Sequence, residues 1–181
     1  MNWNEYRVGV NRGLPVGLGY FSVSFGFGAM AVAQGLRVLH AILISATNLT
    51  SAGQFAGLTV IVAAATLVEM VLTQLVINLR YALMGLSLGQ KLGPTMNTPR
   101  RMFFAFANTA EIFAVASSQP EKLHHHYLYG LMLMPYIGWS LGTLLGVFLV
   151  NLFLVEQFAT KTMTPMIFVL GVFLVSWRTQ G

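Results

Sequence analysis

The chain has 181 residues, of which 56% are hydrophobic and only 8% charged; it carries a net charge of +5 and has neither Cys nor Asp. An ordinary soluble domain is about 25% charged, so this composition marks a polytopic membrane protein. The missing cysteines exclude disulfides, thiol catalysis and Cys-ligated metals, and basic residues scattered between apolar runs set topology rather than bind nucleic acid.

The whole chain, residues 1–181, reads as a single polytopic all-α domain. About five full transmembrane helices are expected, plus a broken or re-entrant helical element at 37–65. Arg7 and Arg12 precede an apolar run, and Ala31-Val32-Ala33 has the form of a cleavage site. That run is long for a signal peptide and further spans follow, so Leu14–Gly35 is read as the first span. Pro15 sits at its start, where a missing N–H is harmless. Gly17, Gly19, Gly26 and Gly28 suit close helix packing, and Gly26-Phe27-Gly28 is a point where the helix can unwind.

The stretch Ser45–Gln54 comes next, with six polar residues in ten and no charge. Ser51-x-x-Gln54 has the form of a capping box, which starts a helix at Ala52. The pieces on either side, Arg37–Thr50 and Ala52–Ala65, have 14 residues each. Each is roughly 21 Å long, against a hydrocarbon core of about 30 Å. They read as two half-helices meeting inside the membrane, with free N–H groups and a positive dipole end suited to a carboxylate. The competing reading is one continuous helix, Leu39–Ala64, whose polar residues pack on its neighbours.

Thr66–Leu88 is the following span, and Lys91–Arg101 is a basic loop with Pro94 and Pro99. Met102–Ser118 is a short span with a polar centre, and Gln119–His126 a loop. Tyr127–Val150 is a long span with Gly138, Gly142 and Gly146 along one face, a packing signal. A loop at Asn151–Met163 and a short apolar run at Pro165–Trp177 follow. If 37–65 turns back, Arg7, Arg12, Lys91, Arg100, Arg101 and Lys161 share one face against Arg37, Lys122 and Arg178, six to three. If it crosses, the division is four to five. The positive-inside rule favours the re-entrant form, with the basic face cytoplasmic.

Two residues stand out for chemistry. Arg80 shares a roughly 40° stripe with Glu69 and Thr73, beside a second polar strip of Gln74, Asn78 and Tyr81. Arg80 either finds carbonyls near the interface or faces a cavity and pairs with a carboxylate. The candidate partner is Glu111, in the middle of Met102–Ser118, where a carboxylate commonly carries a proton or acts as a counter-ion. The plainer reading is a neutral Glu111 holding two helices together. Glu69 is nearer a span end and reads as interfacial. His124-His125-His126 does not make a metal site, because adjacent residues do not share a face and further ligands are lacking. No metal and no cofactor are expected.

Gly13-Leu14-Pro15, Gly19-Tyr20 and Phe25-Gly26-Phe27-Gly28 together resemble the opening of the AzlC-type proteins, the large subunits of bacterial branched-chain amino acid exporters. Ser45 followed by Gln54-Phe55-Ala56 resembles that family's broken second segment. Asn78-Leu79-Arg80-Tyr81-Ala82-Leu83-Met84-Gly85 is similar to its Asn-Leu-Arg motif, and Thr109-x-Glu111-x-Phe113-Ala114 to its Thr-Asp-Glu motif, with Ala110 where Asp is usual. Members of the family run on for further spans. The resemblance implies proton-coupled export of branched-chain and methionine-like amino acids across the bacterial inner membrane, with a small AzlD-type membrane subunit. A zwitterionic substrate would then set its carboxylate at the Ala52–Gln54 helix start and its ammonium on the carbonyls of Ala46–Leu49 and the Asn48 side chain. Phe27 and Phe55 would line an apolar pocket, with Ser45, Ser51, Gln54 and Asn78 as further substrate contacts and Glu111 and Arg80 for ion coupling. Two other readings stand beside the transporter: a non-transporting membrane subunit or assembly factor, and an intramembrane enzyme using Glu111 and a His. The last lacks a paired base in mid-span.

Overall fold

Glycine spacing builds the frame. The computed structural model describes the backbone of residues 2–179 and the side chains of residues 2–153. The long helices α1 (Trp3–Ala33) and α7 (His125–Thr179) lie along each other. Gly9, Gly13, Gly17 and Gly28 of α1 are buried in this seam, and α7 presents Gly130, Gly138, Gly142 and Gly146 to it. A Cβ on Gly138 would fall on the Gly17 carbonyl, so only glycine permits the approach. In a bilayer, where apolar burial does not favour helix over lipid, such backbone contact and its dispersion energy supply the association.

Between these two helices the chain forms α2 (Val38–Thr47), α3 (Ser51–Val62), α4 (Leu67–Gly89), α5 (Thr98–Phe106) and α6 (Ala110–Ser117). The described residues are all-α, with no strand. Among the described residues three helices are long and apolar enough to cross a membrane: α1, α4 and the His125–Phe153 portion of α7.

Contacts fix the directions. Gly9 lies against Tyr127 and Gly28 against Thr143, so α1 and α7 run parallel, from what is here called the near face to the far face. The end of α4 is tied to the start of α7: Gly93 N–H donates to Leu123 O at 2.9 Å, and Lys91 Nζ to Gln119 O at 2.9 Å. So α4 runs from the far face to the near face. α3 lies antiparallel to α4, with Gln74 Nε2 donating to Gly53 O at 2.8 Å and Met70 beside Gly57. α2 and α3 therefore enter from the far face and return to it. α5 and α6 mirror this from the near face, where Lys91 Nζ also donates to Ser117 O at the end of α6. A span followed by a re-entrant hairpin thus occurs twice, in opposite senses, the plan of an inverted repeat.

Several expectations are corrected here. The first span begins at Trp3 rather than Leu14, because the Gly9 and Gly13 contacts with α7 extend the packed face. α1 stays helical through Gly26-Phe27-Gly28, where Gly28 and the buried Phe27 pack within the bundle. Met102–Ser118 is not one span, since Ala107-Asn108-Thr109 divides it into α5 and α6. Lys122 consequently lies on the near face with Arg7, Arg12, Lys91, Arg100 and Arg101, while Arg37 lies on the far face, six to one among the described residues apart from Arg80, which is within α4. The expected loop at Asn151–Met163 and span at Pro165–Trp177 lie, from residue 154 on, outside the described residues.

Both far-face turns use one device. Gly35 N–H donates to Val32 O and Leu36 N–H to Ala31 O, each at 2.9 Å, with Gly35 at φ +89°. Ala64 N–H to Ile61 O (3.0 Å) and Ala65 N–H to Val60 O (3.1 Å) repeat the pattern, with Ala64 at φ 50°. This is the Schellman closure, which satisfies carbonyls left over at a helix end.

Candidate functional site

Each hairpin tip is built from a short extended break capped by threonine. In the first, Asn48 (φ −139°, ψ 109°) and Thr50 (φ −121°, ψ 110°) leave the helical region, and Thr50 Oγ1 accepts from Gly53 N–H at 3.2 Å. In the second, Thr109 (φ −81°, ψ 171°) accepts from Ile112 N–H at 3.4 Å. Such a cap contributes about 1 kcal/mol to starting a helix. The cap of α3 is Thr50, not Ser51, and Gln54 does not complete a box with it. Gln54 is 2% exposed and reaches across the break, its Nε2 donating to Asn48 O and, at 3.5 Å, to Ile44 O. A long amide at this position straps the end of α2 to α3 instead of capping. The capping box forms at Thr66 and Glu69, at the start of α4.

The two tips meet around a cavity of about 230 Å³. Asn48 and Thr50 come from one tip, Asn108 and Thr109 from the other, and Asn78 and Tyr81 from α4. Among the described residues no Glu, Lys, Arg or His lines it. Asn78 Nδ2 donates to Gln74 O at 2.8 Å and Gln74 Oε1 at 3.1 Å. Behind the first tip a second cavity, of about 220 Å³, is lined by Gln54, Gln74, Gly57 and Met70, and Asn48 borders both cavities.

Beside the second tip lies a three-member hydroxyl and carboxylate chain. The Tyr20 hydroxyl sits 2.5 Å from Thr109 Oγ1 and hydrogen-bonds Glu111 Oε2. Tyr20 is buried, edge-on to Trp139 with ring centroids 5.2 Å apart. A phenol carries one proton and an ionised carboxylate only accepts. With Glu111 ionised, Tyr20 donates to it and takes the Thr109 proton as acceptor. With Glu111 protonated, the carboxylic O–H donates to Tyr20, and Tyr20 donates to Thr109. Thr109 lines the cavity, so a proton at Glu111 reverses a hydrogen bond at the cavity wall.

Asn48 and Asn78 lie at the tip cavity, and Ser51 begins α3 beside it. Gln54 lines the second cavity. Phe27 is fully buried, edge-on to Phe55 at 5.7 Å, and packs with Ala31 and Val147. Ser45 shares a 2.6 Å hydrogen bond with Thr143, whose Oγ1 lies 3.3 Å from Ser24 O; this joins α2 to α7 and α1. Of the carbonyls expected free at 46–49, Ala46 O takes Tyr136 Oη–H at 3.3 Å and Asn48 O takes Gln54. Arg80 and Glu111 are not brought together. Arg80 is exposed, donates to Tyr81 Oη at 2.9 Å, and stacks 4.9 Å from that ring's centroid. His126 Nδ1 lies 4.0 Å from Glu5 Oε2 on the near face, and no Lys or Arg among the described residues is within 4.0 Å of a carboxylate.

Sequence reasoning missed Tyr20, Asn108 and Thr109 as site residues. Tyr20 carried a signal: Gly9, Gly13, Gly17, Tyr20, Ser24 and Gly28 recur every three or four residues, and Tyr20 interrupts a glycine stripe with a hydroxyl. Asn108 was legible only as part of the polar centre of an expected span, and Thr109 as that and as the first residue of the Thr109-x-Glu111 motif.

The Inner membrane protein YgaZ of Escherichia coli (strain K12) is 25% identical over 147 residues, 79% of this chain and 60% of that protein. An uncharacterized membrane protein of Archaeoglobus fulgidus is 32% identical over 78% of this chain and 61% of its own length. One from Helicobacter pylori (strain 26695) is 29% identical over 71% of this chain and 57% of its own. The chain thus spans about 60% of the length of these relatives. No solved structure matches it. Residues 15–153, which run from within α1 through the described part of α7 and hold both hairpins and the cavity between them, match the family described as AzlC protein, and the chain belongs to that family of membrane proteins.

Proposed function

We propose that the chain is the membrane core of a secondary transporter that exports branched-chain and methionine-like amino acids across the bacterial inner membrane, coupled to protons. The observation that carries this reading is the meeting of two oppositely directed re-entrant hairpins around one uncharged polar cavity. Transporters of inverted-repeat design bind at such mid-depth helix breaks, where half-helix N-termini face anionic groups and freed carbonyls face cations. An uncharged wall suits a net-neutral zwitterion, because a fixed buried charge would need its own partner. Glu111 is the proton carrier in this reading, acting on the cavity through Tyr20 and Thr109. The near face, with its excess of cations, is the cytoplasmic one. The name of the YgaZ relative, an inner membrane protein, supports the location.

The chain is not an enzyme in this reading. α4 leaves its outward face uncovered, with Arg80 exposed nine residues before Gly89. A cation at that depth suits a further membrane element against α4, and an AzlD-type subunit is the proposed partner.

The test is efflux of preloaded leucine, valine and methionine from cells with and without the chain, with and without that subunit. Faster efflux that depends on the pH gradient is expected. Efflux unchanged in every combination, with the protein shown to be inserted, would replace this reading by that of a non-transporting membrane subunit.

A further inference from the structure

Behind the first tip, α3 and α4 run antiparallel with their facing residues in step. Gly53, Gly57 and Ile61 of α3, and Asn78, Gln74 and Met70 of α4, each recur every four residues along one flank of their helix. Gly53 stands beside Gln74, and Gly57 beside Gln74 and Met70. Asn78 lines the tip cavity, and the other five line the second cavity. From Gly53 to Ile61 the helix rises about 12 Å. That distance runs from the tip to one residue short of Val62, where α3 ends at the far face. The second cavity thus carries on from the tip cavity toward the far face, and the two are alike in size, about 220 Å³ and about 230 Å³.

Neutral amides divide them. Asn48 borders both cavities. Asn78 Nδ2, on the tip side, donates to Gln74 Oε1, on the far side, at 3.1 Å, and Gln74 Nε2 donates to Gly53 O at 2.8 Å. The glycines here differ from those of the α1–α7 seam. A Cβ at Gly57 would lie 3.2 Å from Gln74 Nε2, the end of a side chain, whereas one at Gly28 would fall on the Thr143 carbonyl. Backbone locks α1 to α7; a side-chain amide with rotamers to move through spaces α3 from α4. Such an amide changes partners without a charge being stripped of water. Beyond it Leu58, Ile61 and Met70 make an apolar wall, and no Glu, Lys, Arg or His among the described residues lines the second cavity.

We propose that the groove between α3 and α4 is the route by which substrate passes from the tip cavity to the far face, and that Gln74, held between Asn78 and Gly53, is the gate across it. This rests on the transport reading above. A net-neutral amino acid moves along the groove without meeting a fixed charge, its aliphatic side chain against Met70 and Ile61.

The experiment uses the full chain in intact cells, where the protein offers no native thiol. Gly57→Cys and Met70→Cys place one thiol in the groove. Leu39→Cys places one at similar depth on the exposed side of α2. The reagent is a membrane-impermeant methanethiosulfonate, which attacks thiols that water reaches and ionises. Both groove thiols are expected to react from outside, and reaction to slow leucine efflux at least about tenfold against the same cells untreated. Wild type and Leu39→Cys are expected to keep their untreated rates. Gln74→Ala is expected to speed reaction of Tyr81→Cys, in the tip-cavity wall, about tenfold, the factor that one to two lost hydrogen bonds make in an opening equilibrium. Complete reaction of both groove thiols with efflux unchanged overturns the route, and so does equal slowing in Leu39→Cys. No reaction of either groove thiol in exporting cells, where Gln34→Cys does react, overturns it as well. An unchanged Tyr81→Cys rate overturns the gate. In each of these cases the transport reading stands. Untreated wild type that exports no leucine overturns that reading and the route with it. Should Gly57→Cys fail to insert, Met70→Cys decides, because it replaces a flexible side chain and not a glycine.

Discussion

Along the α1–α7 seam the backbones touch, with glycine against glycine and carbonyls where side chains would otherwise stand. At the hairpin tips the helices stop short around a cavity, and Asn108 Oδ1 has no hydrogen-bond partner among the described residues. The seam places Trp139, Leu131 and Val147 at zero exposure. The tips place threonines and asparagines where the chain has given up helical hydrogen bonds. Dense, apolar, backbone-level packing has one arrangement and resists change. A capped break with spare donors and acceptors has energy left to spend on a ligand. The difference separates a scaffold from a binding element within one small bundle.

The two hairpins differ in turn. The first is held by neutral bonds: Gln54 across its break, Ser45 on Thr143, and Gln74 on Gly53. The second is tied by cations at its mouth, with Arg100 donating to Thr95 O at 2.6 Å and Arg101 to Met96 O at 2.9 Å. The second also carries Glu111 beside its tip. Both tips frame the cavity, and among the described residues only the second has a carboxylate joined to it by a hydrogen-bonded chain.

The sharpest way to break the contrast between seam and tips is Gly138→Leu. A leucine there drives into the Gly17 backbone, which has no rotamer to yield, and the cost exceeds about 3 kcal/mol. Loss of the monodisperse folded protein in detergent size-exclusion is expected. A folded variant with an unchanged melting temperature would mean that the seam is not the scaffold.

Orientation is tested by an all-or-none measurement, since the chain has no native cysteine. Lys122→Cys is expected to resist a membrane-impermeant maleimide in intact cells, and Gln34→Cys to react. The reverse pattern would place the cations outside.

Glu111→Gln addresses the difference between the hairpins. Removing the titratable proton is expected to abolish the dependence of leucine export on the pH gradient, while the variant still inserts and binds leucine. Pyranine-loaded vesicles would read the proton movement directly. An unaltered pH dependence would leave Glu111 as a hydrogen-bond partner of Tyr20 and no more.

Gln54→Leu removes the strap of the first hairpin without changing its size greatly. A loss of about 1–2 kcal/mol is expected, because the Asn48 carbonyl is left unpaired at a part-buried site. Thermal unfolding followed by tryptophan fluorescence reads the shift, and a variant as stable as wild type would show that the first tip holds its shape by backbone alone. The smallest effect is a gain. Ala64 sits at φ 50°, a conformation that costs a residue with a Cβ about 1–2 kcal/mol. Ala64→Gly is expected to return about 0.5–1 kcal/mol of that after glycine's own entropy cost. A lowered melting temperature would contradict the strain at that turn.

Much of this was determined by the chain itself. Composition alone set the membrane class, because 8% charge cannot cover a soluble surface. The glycine period announced the seam; the density of polar residues at 45–54 left a broken and a continuous helix both open, and the distribution of cations favoured the hairpin. The glycine and polar patterns are local signals, spaced at the helical period or confined to one turn, and they survive without knowledge of neighbours. Tertiary structure decided the rest. Ala107-Asn108-Thr109 looks like the polar middle of a span until the return of α6 to Lys91 shows that it is a second tip. Glu111 chose Tyr20, 91 residues away in sequence, over Arg80, which lies on the outward face of α4. Gln54 chose a carbonyl across the break over the cap position one turn back. Each of these choices depends on which groups packing brings within hydrogen-bond reach, and in a bundle with few charges one such partner settles the role of the residue.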